Sequence, residues 1–191
     1  MPRVIAGQYK GRVLAAPEGD KTRPTTDKVK EALFSIIQMR VPGSFFLDLY
    51  SGSGQIAIEA LSRGADRVTL VERNPRACAV IKQNLMKVGA EKEAEVLRMD
   101  AGEALGELAK NNARFDIIYM DPPYKEAGSA AGAAARIIAQ ESLLEDDGIF
   151  IVEHDKDTDV KECVKDLEFF RSCSYGLTVI TFFKKSNCGE Q

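Results

Sequence analysis

From Phe45 onward, short apolar runs alternate with amphipathic segments, the pattern of a sheet built from βαβ units with helices on both faces. FFLDLY (45–50), RVTLVE (67–72), AEVLRM (94–99), FDIIYM (115–120) and GIFIVEH (148–154) read as strands. Between them Ile56, Ala57, Ala60 and Leu61 predict one helix, and Ala77, Val80, Ile81, Leu85 and Val88 a second, at the 3.6-residue helical period. Gly64 and Gly89 fall where those helices should end. The segment LEFFRSCSYGLTVITFFKK has two apolar runs broken at Tyr175-Gly176, which predicts a closing antiparallel hairpin. The expected fold class is therefore α/β, a Rossmann-like, mostly parallel sheet of seven strands with a C-terminal hairpin. The alanine-rich SAAGAAA (129–135) fits either a helix or a mobile loop.

The first 44 residues do not keep this rhythm. RVIAGQYKGRVLAAP reads as a small hairpin turning between Gln8 and Gly11, and the polar stretch EGDKTRPTTD leads into a helix with Val29, Leu33, Ile36 and Ile37 on one face. Pro42-Gly43 punctuates the entry to the first core strand. The expected organisation is an N-terminal extension (1–44), an α/β domain (45–185) and a short tail (186–191).

Composition narrows the function classes. A chain of 191 residues with 45% apolar and 29% charged residues is ordinary for one soluble domain with an appendage, and no apolar stretch approaches the length of a membrane span. The opening MPRVIAGQYKGR lacks the apolar segment of a signal peptide, so a cytosolic protein is expected; a monomer is expected as well. Cys78, Cys163, Cys173 and Cys188 are widely spaced and His154 is the lone histidine, which argues against a zinc site or a disulfide framework. The formal charge is −3, but residues 1–30 carry seven Lys or Arg against three acids, so a basic front precedes an acidic body. That polarity fits a polyanion met at one end, or simply a solvated basic face.

Two motifs carry chemistry. DLYSGSGQIAIEA (48–60) sets a strand end, a Gly-rich turn and a helix start in succession, where small residues let a ligand approach free backbone N–H groups. Glu72 ends the next strand about 20 residues on, where a carboxylate can take both ribose hydroxyls of a nucleotide. Gly52-Ser53-Gly54-Gln55-Ile56-Ala57 also fits the loop used for dinucleotides, but no second mononucleotide half follows. Asp100, after the third strand, suits the exocyclic amine of an adenine or, equally simply, a helix cap.

The second motif is FDIIYMDPPY. An exocyclic amine on a nucleobase is a poor nucleophile because its lone pair is delocalised into the ring. Two acceptors gripping its hydrogens would turn that lone pair toward a methyl donor: the Asp121 carboxylate and the Pro122 carbonyl, with Pro122 and Pro123 stiffening the backbone and Tyr124 stacking on the base. The bland reading is a rigid loop after a buried strand.

These stretches resemble the RsmD-type family, bacterial methyltransferases acting on the N2 of a guanine in small-subunit (16S) ribosomal RNA with S-adenosylmethionine. RVIAGQYKGR, TRPTTDKVKEALF, DLYSGSGQIAIEALSRGA, VERN, FDIIYMDPPY, IVEH and YGLT fall in the family's order over nearly the whole chain. The resemblance implies a cofactor pocket lined by Asp48, Tyr50, Ser51, Gly52, Ser53, Gly54, Glu72, Arg73, Asn74, Asp100 and Ala101, and catalysis by Asp121, Pro122, Pro123 and Tyr124. It further implies RNA contacts from Arg3, Lys10, Arg12, Arg23 and Thr25, with Arg23, Pro24 and Thr25 in the TRPT signature near the active site. The substrate would be the RNA or an assembling ribosomal particle, and no metal is implied. Gln55 departs from the small residues frequent in such loops, and His154, though part of the IVEH match, reads as structural. An adenine-N6 DNA methyltransferase would share the DPPY chemistry; a dehydrogenase or a non-catalytic RNA-binding module are the remaining alternatives.

Overall fold

The computed structural model describes residues 1–17 and 27–186. Its strands are β1 (Phe45–Leu49), β2 (Arg67–Val71), β3 (Ala94–Leu97), β4 (Phe115–Met120), β5 (Leu144–Asp155), β6 (Glu168–Tyr175) and β7 (Thr178–Lys184), and its helices α1 (Asp27–Ile36), α2 (Gln55–Ser62), α3 (Pro75–Val88), α4 (Ala101–Lys110), α5 (Ala127–Gln140) and α6 (Val160–Cys163). The strands make one sheet in the order β3-β2-β1-β4-β5-β7-β6. β1 to β5 run parallel and β7 lies antiparallel between β5 and β6, which closes the sheet by the expected hairpin. The central strands are continuous apolar runs because both faces are covered. One face packs under α1, α2 and α3 around Phe46, Val68, Ile117 and Ile151, and the other under α4 and α5 around Leu47, Leu49, Ile118 and Phe150.

The parallel order runs outward from β1 in one direction and continues with β4 in the other. Connections leaving β1 and β4 therefore diverge, opening a crevice at their C-terminal ends, the standard ligand position in such sheets. The Gly-rich loop after β1, Glu72 after β2, Asp100 after β3 and DPPY after β4 emerge there.

Strand ends move by a few residues from the pattern reading. Tyr50 leaves β1 in a left-handed conformation (φ 65°), and β5 begins at Leu144, with a register irregularity opposite Phe115–Ile117. The alanine-rich stretch is helix: α5 buries Ala127, Ala131, Ala134, Ala135 and Ile138, and its glycines admit α6 at close range. A Cβ on Gly132 would stand 2.6 Å from the Cys163 carbonyl oxygen, so the small residues are a packing requirement rather than a sign of mobility.

The expected N-terminal hairpin is present and short: Arg3 bridges Val13 in antiparallel register, Val4 N donates to the Arg12 carbonyl (2.9 Å), Gly11 N to the Val4 carbonyl (2.9 Å) and Leu14 N to the Pro2 carbonyl (2.8 Å), with the turn at Gln8–Gly11. Beyond Val4 the backbone donors turn to α2 instead. Ile5 N and Ala6 N donate to the Glu59 carboxylate at 2.8 and 3.0 Å, Gln8 N to the Ser62 carbonyl at 2.8 Å, and Tyr9 N to Ser62 Oγ at 2.9 Å. Gly7 (φ 81°) permits this contact, since a Cβ there would lie 1.7 Å from the Ser62 carbonyl oxygen. Val4 and Leu14 join Leu33, Phe34 and Ile37 of the α1 region in the core of the sheet's first face, so residues 1–17 and α1 share the hydrophobic core of the α/β body. Lys30, fully buried on α1, completes the joint: its ammonium donates to the Arg3 carbonyl and to Gln55 Oε1 (3.4 Å) and faces Glu59 Oε2 at 3.7 Å. Among the described residues, no helix is long and apolar enough to cross a membrane.

Candidate active site

The loop after β1 is built to expose backbone. Tyr50, Gly52 and Gly54 all adopt positive φ (65°, 55° and 76°), Ser51 N donates to the Val71 carbonyl (3.0 Å), and Gly54 N donates back to the Ser51 carbonyl (2.7 Å). A Cβ on Gly54 would come within 3.1 Å of Leu70 Cδ2, so glycine lets α2 start close against β2. Asn84, fully buried on α3, holds the loop from outside by donating to the Ser53 carbonyl at 2.9 Å. The same amide pairs with both backbone groups of Ala15, tying the N-terminal segment to the loop. Its legible signal was a polar residue between Ile81 and Leu85 on the apolar face of α3.

Asp48 lies beneath this loop, 1% exposed, and accepts the N–H of Ala57 in the first turn of α2. Its Oδ2 is buried without a hydrogen-bond partner. Burial pushes its carboxyl up to about 8, and nearby Glu72 adds to the rise against the opposing Ala57 and Ser51 bonds. An orphan buried acceptor next to free helix N–H groups is poised for a hydrogen-bonding or cationic ligand atom.

Glu72, at the end of β2, spans the mouth: Oε2 accepts from Gly52 N at 3.0 Å and Oε1 from Asn74 N at 2.8 Å. A carboxylate offers about four acceptor positions, so two remain. Asn74 caps α3 by accepting from Arg76 N at 2.9 Å, with Pro75 as the first helical residue. Arg73 is exposed, its guanidinium 4.0 Å from Asp100 Oδ2. Asp100 does cap α4, through Oδ1 and Gly102 N at 3.0 Å, which leaves Oδ2 at the rim with only the 4.0 Å ion pair to Arg73. Cap and ligand acceptor are compatible. Ala101 opens α4 beside it.

Between α4 and α5 is a cavity of about 420 Å³ lined by Tyr50, Asp100, Ala101, Met120, Glu126 and Ala130 among others, which combines apolar wall with the Asp100 and Glu126 carboxylates. A flat heteroaromatic base with an exocyclic amine matches that lining. Asp121 leaves β4 half-buried, Pro122 is buried, Pro123 is exposed, and Tyr124 begins a 3-10 turn (Tyr124–Glu126) with its side chain 47% exposed. The turn is closed by Glu126 N donating to the Pro123 carbonyl at 2.8 Å. The β1 loop, Glu72, Asp100 and DPPY thus occupy one edge of the sheet.

The basic residues are not all there. Arg3 is paired with Asp27 (2.7 Å), while Lys10 and Arg12 are exposed on a turn docked at Ser62, the C-terminal end of α2. The site lies at the N-terminal end of that helix, about 12 Å away at 1.5 Å per residue. Arg23, Pro24 and Thr25 lie outside the described residues. His154 is buried, its Nε2 2.8 Å from Thr181 Oγ1 and its Nδ1 2.8 Å from the Asp155 carbonyl, and burial lowers its basicity; it has the satisfied environment of a structural histidine. Sequence reading passed over Lys30, Asn84 and the buried Tyr119 of β4. No cluster of potential metal ligands occurs among the described residues.

Comparison with known proteins adds an independent line. The family model described as "Conserved hypothetical protein 95" matches residues 2–184. The chain is 44% identical over 183 residues to the Bacillus subtilis protein named "Putative rRNA methyltransferase YlbH", covering 96% of this chain and 98% of that one. It is 33% identical over 156 residues to "Ribosomal RNA small subunit methyltransferase D" of Haemophilus influenzae, covering 81% and 79%. Among solved structures, a putative methyltransferase of Escherichia coli, yhhF, superposes with a TM-score of 0.80 at 27% identity, covering 96% of this chain and 97% of that one.

Proposed function

The chain belongs to the RsmD-type family described as conserved hypothetical protein 95, and from that premise we propose that it methylates the N2 amine of a guanine in small-subunit ribosomal RNA using S-adenosylmethionine. The observation that carries the reading is the convergence, at the C-terminal ends of β1 and β4, of an orphan buried carboxylate, a ribose-competent carboxylate, a base-sized cavity and a DPPY turn.

When bound, S-adenosylmethionine supplies an electrophilic methyl on a cationic sulfur. Asp48 Oδ2 would accept from its amino group, Glu72 from the ribose hydroxyls through its remaining lone pairs, and Asp100 Oδ2 from the adenine amine, with Tyr50 and Met120 against the ring. Asp121 and the Pro122 carbonyl would take the two hydrogens of the target amine and turn its lone pair toward the methyl, and Tyr124 would stack on the base. As the carbon–nitrogen bond forms and the methyl–sulfur bond breaks, leaving S-adenosylhomocysteine, the amine proton would pass to the Asp121 carboxylate and then to water. Residues 1–44 would help grip the RNA, whether naked or in an assembling particle, for a cytoplasmic monomer.

The test is transfer of labelled methyl from S-adenosylmethionine to small-subunit rRNA and to assembled particles, followed by nucleoside analysis. N2-methylguanosine is expected. N6-methyladenosine, or preferential labelling of duplex DNA, would favour the adenine alternative, which uses the same two acceptors. Wild-type protein that binds RNA without transferring methyl would favour a binding module.

A further inference from the structure

The β4–β5 ladder ends at its Met120–Val152 rung, and the next residue on each strand is a carboxylate, Asp121 and Glu153. Beyond that rung the backbone cannot continue the tie, because Pro122 and Pro123 have no N–H to donate. A side-chain bond takes over. Tyr119, 1% exposed and two residues before Asp121 on the same face of β4, donates its hydroxyl to Glu153 Oε2 at 2.6 Å, and Glu153 is itself 5% exposed. The phenol is held well above its ordinary range by burial, then by Glu153, Asp121 and Asp48, so it stays a proton donor and lies within electrostatic reach of the Asp121 carboxylate.

Stability alone gives little reason for this arrangement. Burying a carboxylate and a phenol has a desolvation cost that their mutual bond must offset, and an apolar pair of similar volume is commonly as stable or more so. The bond does provide a short, directional tie where the sheet releases the DPPY turn. Within the methyltransferase reading above, we propose that Tyr119 and Glu153 are positioning residues for the reaction: their bond fixes the end of β4 against β5 and thereby sets Asp121 and the Pro122 carbonyl at the spacing that grips the target amine. Neither residue touches the substrate. Both act through Asp121, where displacements of about 1 Å can cost about a hundredfold in rate.

The experiment uses the full chain with labelled S-adenosylmethionine and small-subunit rRNA. Tyr119→Phe removes the bond and keeps the ring; Glu153→Gln keeps an acceptor for the hydroxyl and removes the charge. Tyr119→Phe should lower kcat about ten- to a hundredfold with the KM for RNA and the Kd for S-adenosylmethionine within about twofold of wild type, because the loss falls on the transition state. Glu153→Gln should retain most of the rate, and Tyr119→Phe combined with Glu153→Leu should be no slower than Tyr119→Phe alone, as expected of two residues acting as one unit. Wild-type kcat in folded Tyr119→Phe, or a loss confined to KM or cofactor affinity, would overturn the proposal. If Tyr119→Phe does not fold, Glu153→Gln against Glu153→Leu decides: equal kcat in both would overturn it equally. Wild-type protein inactive on every RNA form would instead defeat the underlying reading, and the two failures are distinct.

Discussion

Three carboxylates at one sheet edge are given different work by their surroundings. Asp121 is half-buried at the strand mouth, Glu72 is braced by Gly52 N and Asn74 N, and Asp48 is buried with one oxygen unsatisfied. Asp121→Ala should nearly abolish methyl transfer while S-adenosylmethionine affinity, read by calorimetry, changes little, because its bond to the amine strengthens as the lone pair turns. Near wild-type transfer by a folded, cofactor-bound variant would remove Asp121 from the chemistry. Glu72→Ala should weaken cofactor binding by about 1.5–3 kcal/mol, part of it through the loosened Gly52 loop. Glu72→Gln, which keeps one acceptor for that loop, separates the two contributions. For Asp48 the sign of the pH effect is fixed by the direction of its shift. With its carboxyl raised from the usual range near 4 to about 8, the native protein holds a proton that the unfolded chain has lost, so stability falls as pH rises across that window. Asp48→Asn, which mimics the protonated form, should remove that slope in denaturation measured from pH 4 to 8 without cofactor. Equal slopes in the two proteins would mean that Asp48 ionises like an exposed acid.

At the level of elements, the same physical rule decides what the sequence discloses: patterns of burial are legible, and partners across the fold are not. The βαβ rhythm fixed the five parallel strands and the closing hairpin because each strand's apolar run answers to layers directly above and below it. Glu72, Asp100 and Asp121 stood out as candidates because each carboxylate follows a strand end at the same sheet edge, whereas Asp48 was singled out by the family resemblance alone. Helix α4 went unassigned because Ala104, Leu105 and Leu108 make a narrow apolar stripe. The N-terminal hairpin and its turn were legible, but nothing local reveals that Glu59 and Ser62, more than fifty residues on, would claim the donors of Ile5, Ala6 and Tyr9. Tyr119 was hidden for a similar reason: in FDIIYM its ring counts as one more apolar position, and only Glu153 on a neighbouring strand makes its hydroxyl significant. That docked turn yields a paired prediction. Gly7 and Gly11 both have positive φ (81° and 82°), but a Cβ on Gly7 meets the Ser62 carbonyl oxygen whereas one on Gly11 meets nothing within 4 Å. Gly11→Ala should cost only the left-handed backbone term, about 1–2 kcal/mol. Gly7→Ala must also displace the turn from α2, and should lower the denaturation midpoint clearly further. Equal losses would show that the docking contributes nothing to stability.

The whole molecule sets a problem for any RNA. Its net charge is −3, and with the basic excess confined to residues 1–30 the remainder repels a polyanion. On the proposed function, phosphates would enter along the basic front. Yet Lys10 and Arg12 ride on the turn held at the C-terminal end of α2, a helix length of about 12 Å from the Gly-rich loop at its N-terminal end. On the proposed function they would hold RNA strands flanking the target while the base is turned out into the pocket, and would take no part in the transfer step. Lys10→Glu with Arg12→Glu should accordingly weaken RNA binding at low salt and flatten the dependence of log affinity on log salt by about 0.7–0.9 for each phosphate no longer neutralised. Cofactor affinity should not change, and kcat at saturating RNA should stay near wild type. Arg3 is kept out of this variant because its reversal would set an acid against Asp27 and confound binding with local stability. An unaltered salt slope in binding titrations would mean that RNA approaches by another face. A fall in kcat with the slope unchanged would mean that the turn acts on the site through α2, by way of the Glu59, Lys30 and Gln55 contacts, rather than on phosphate.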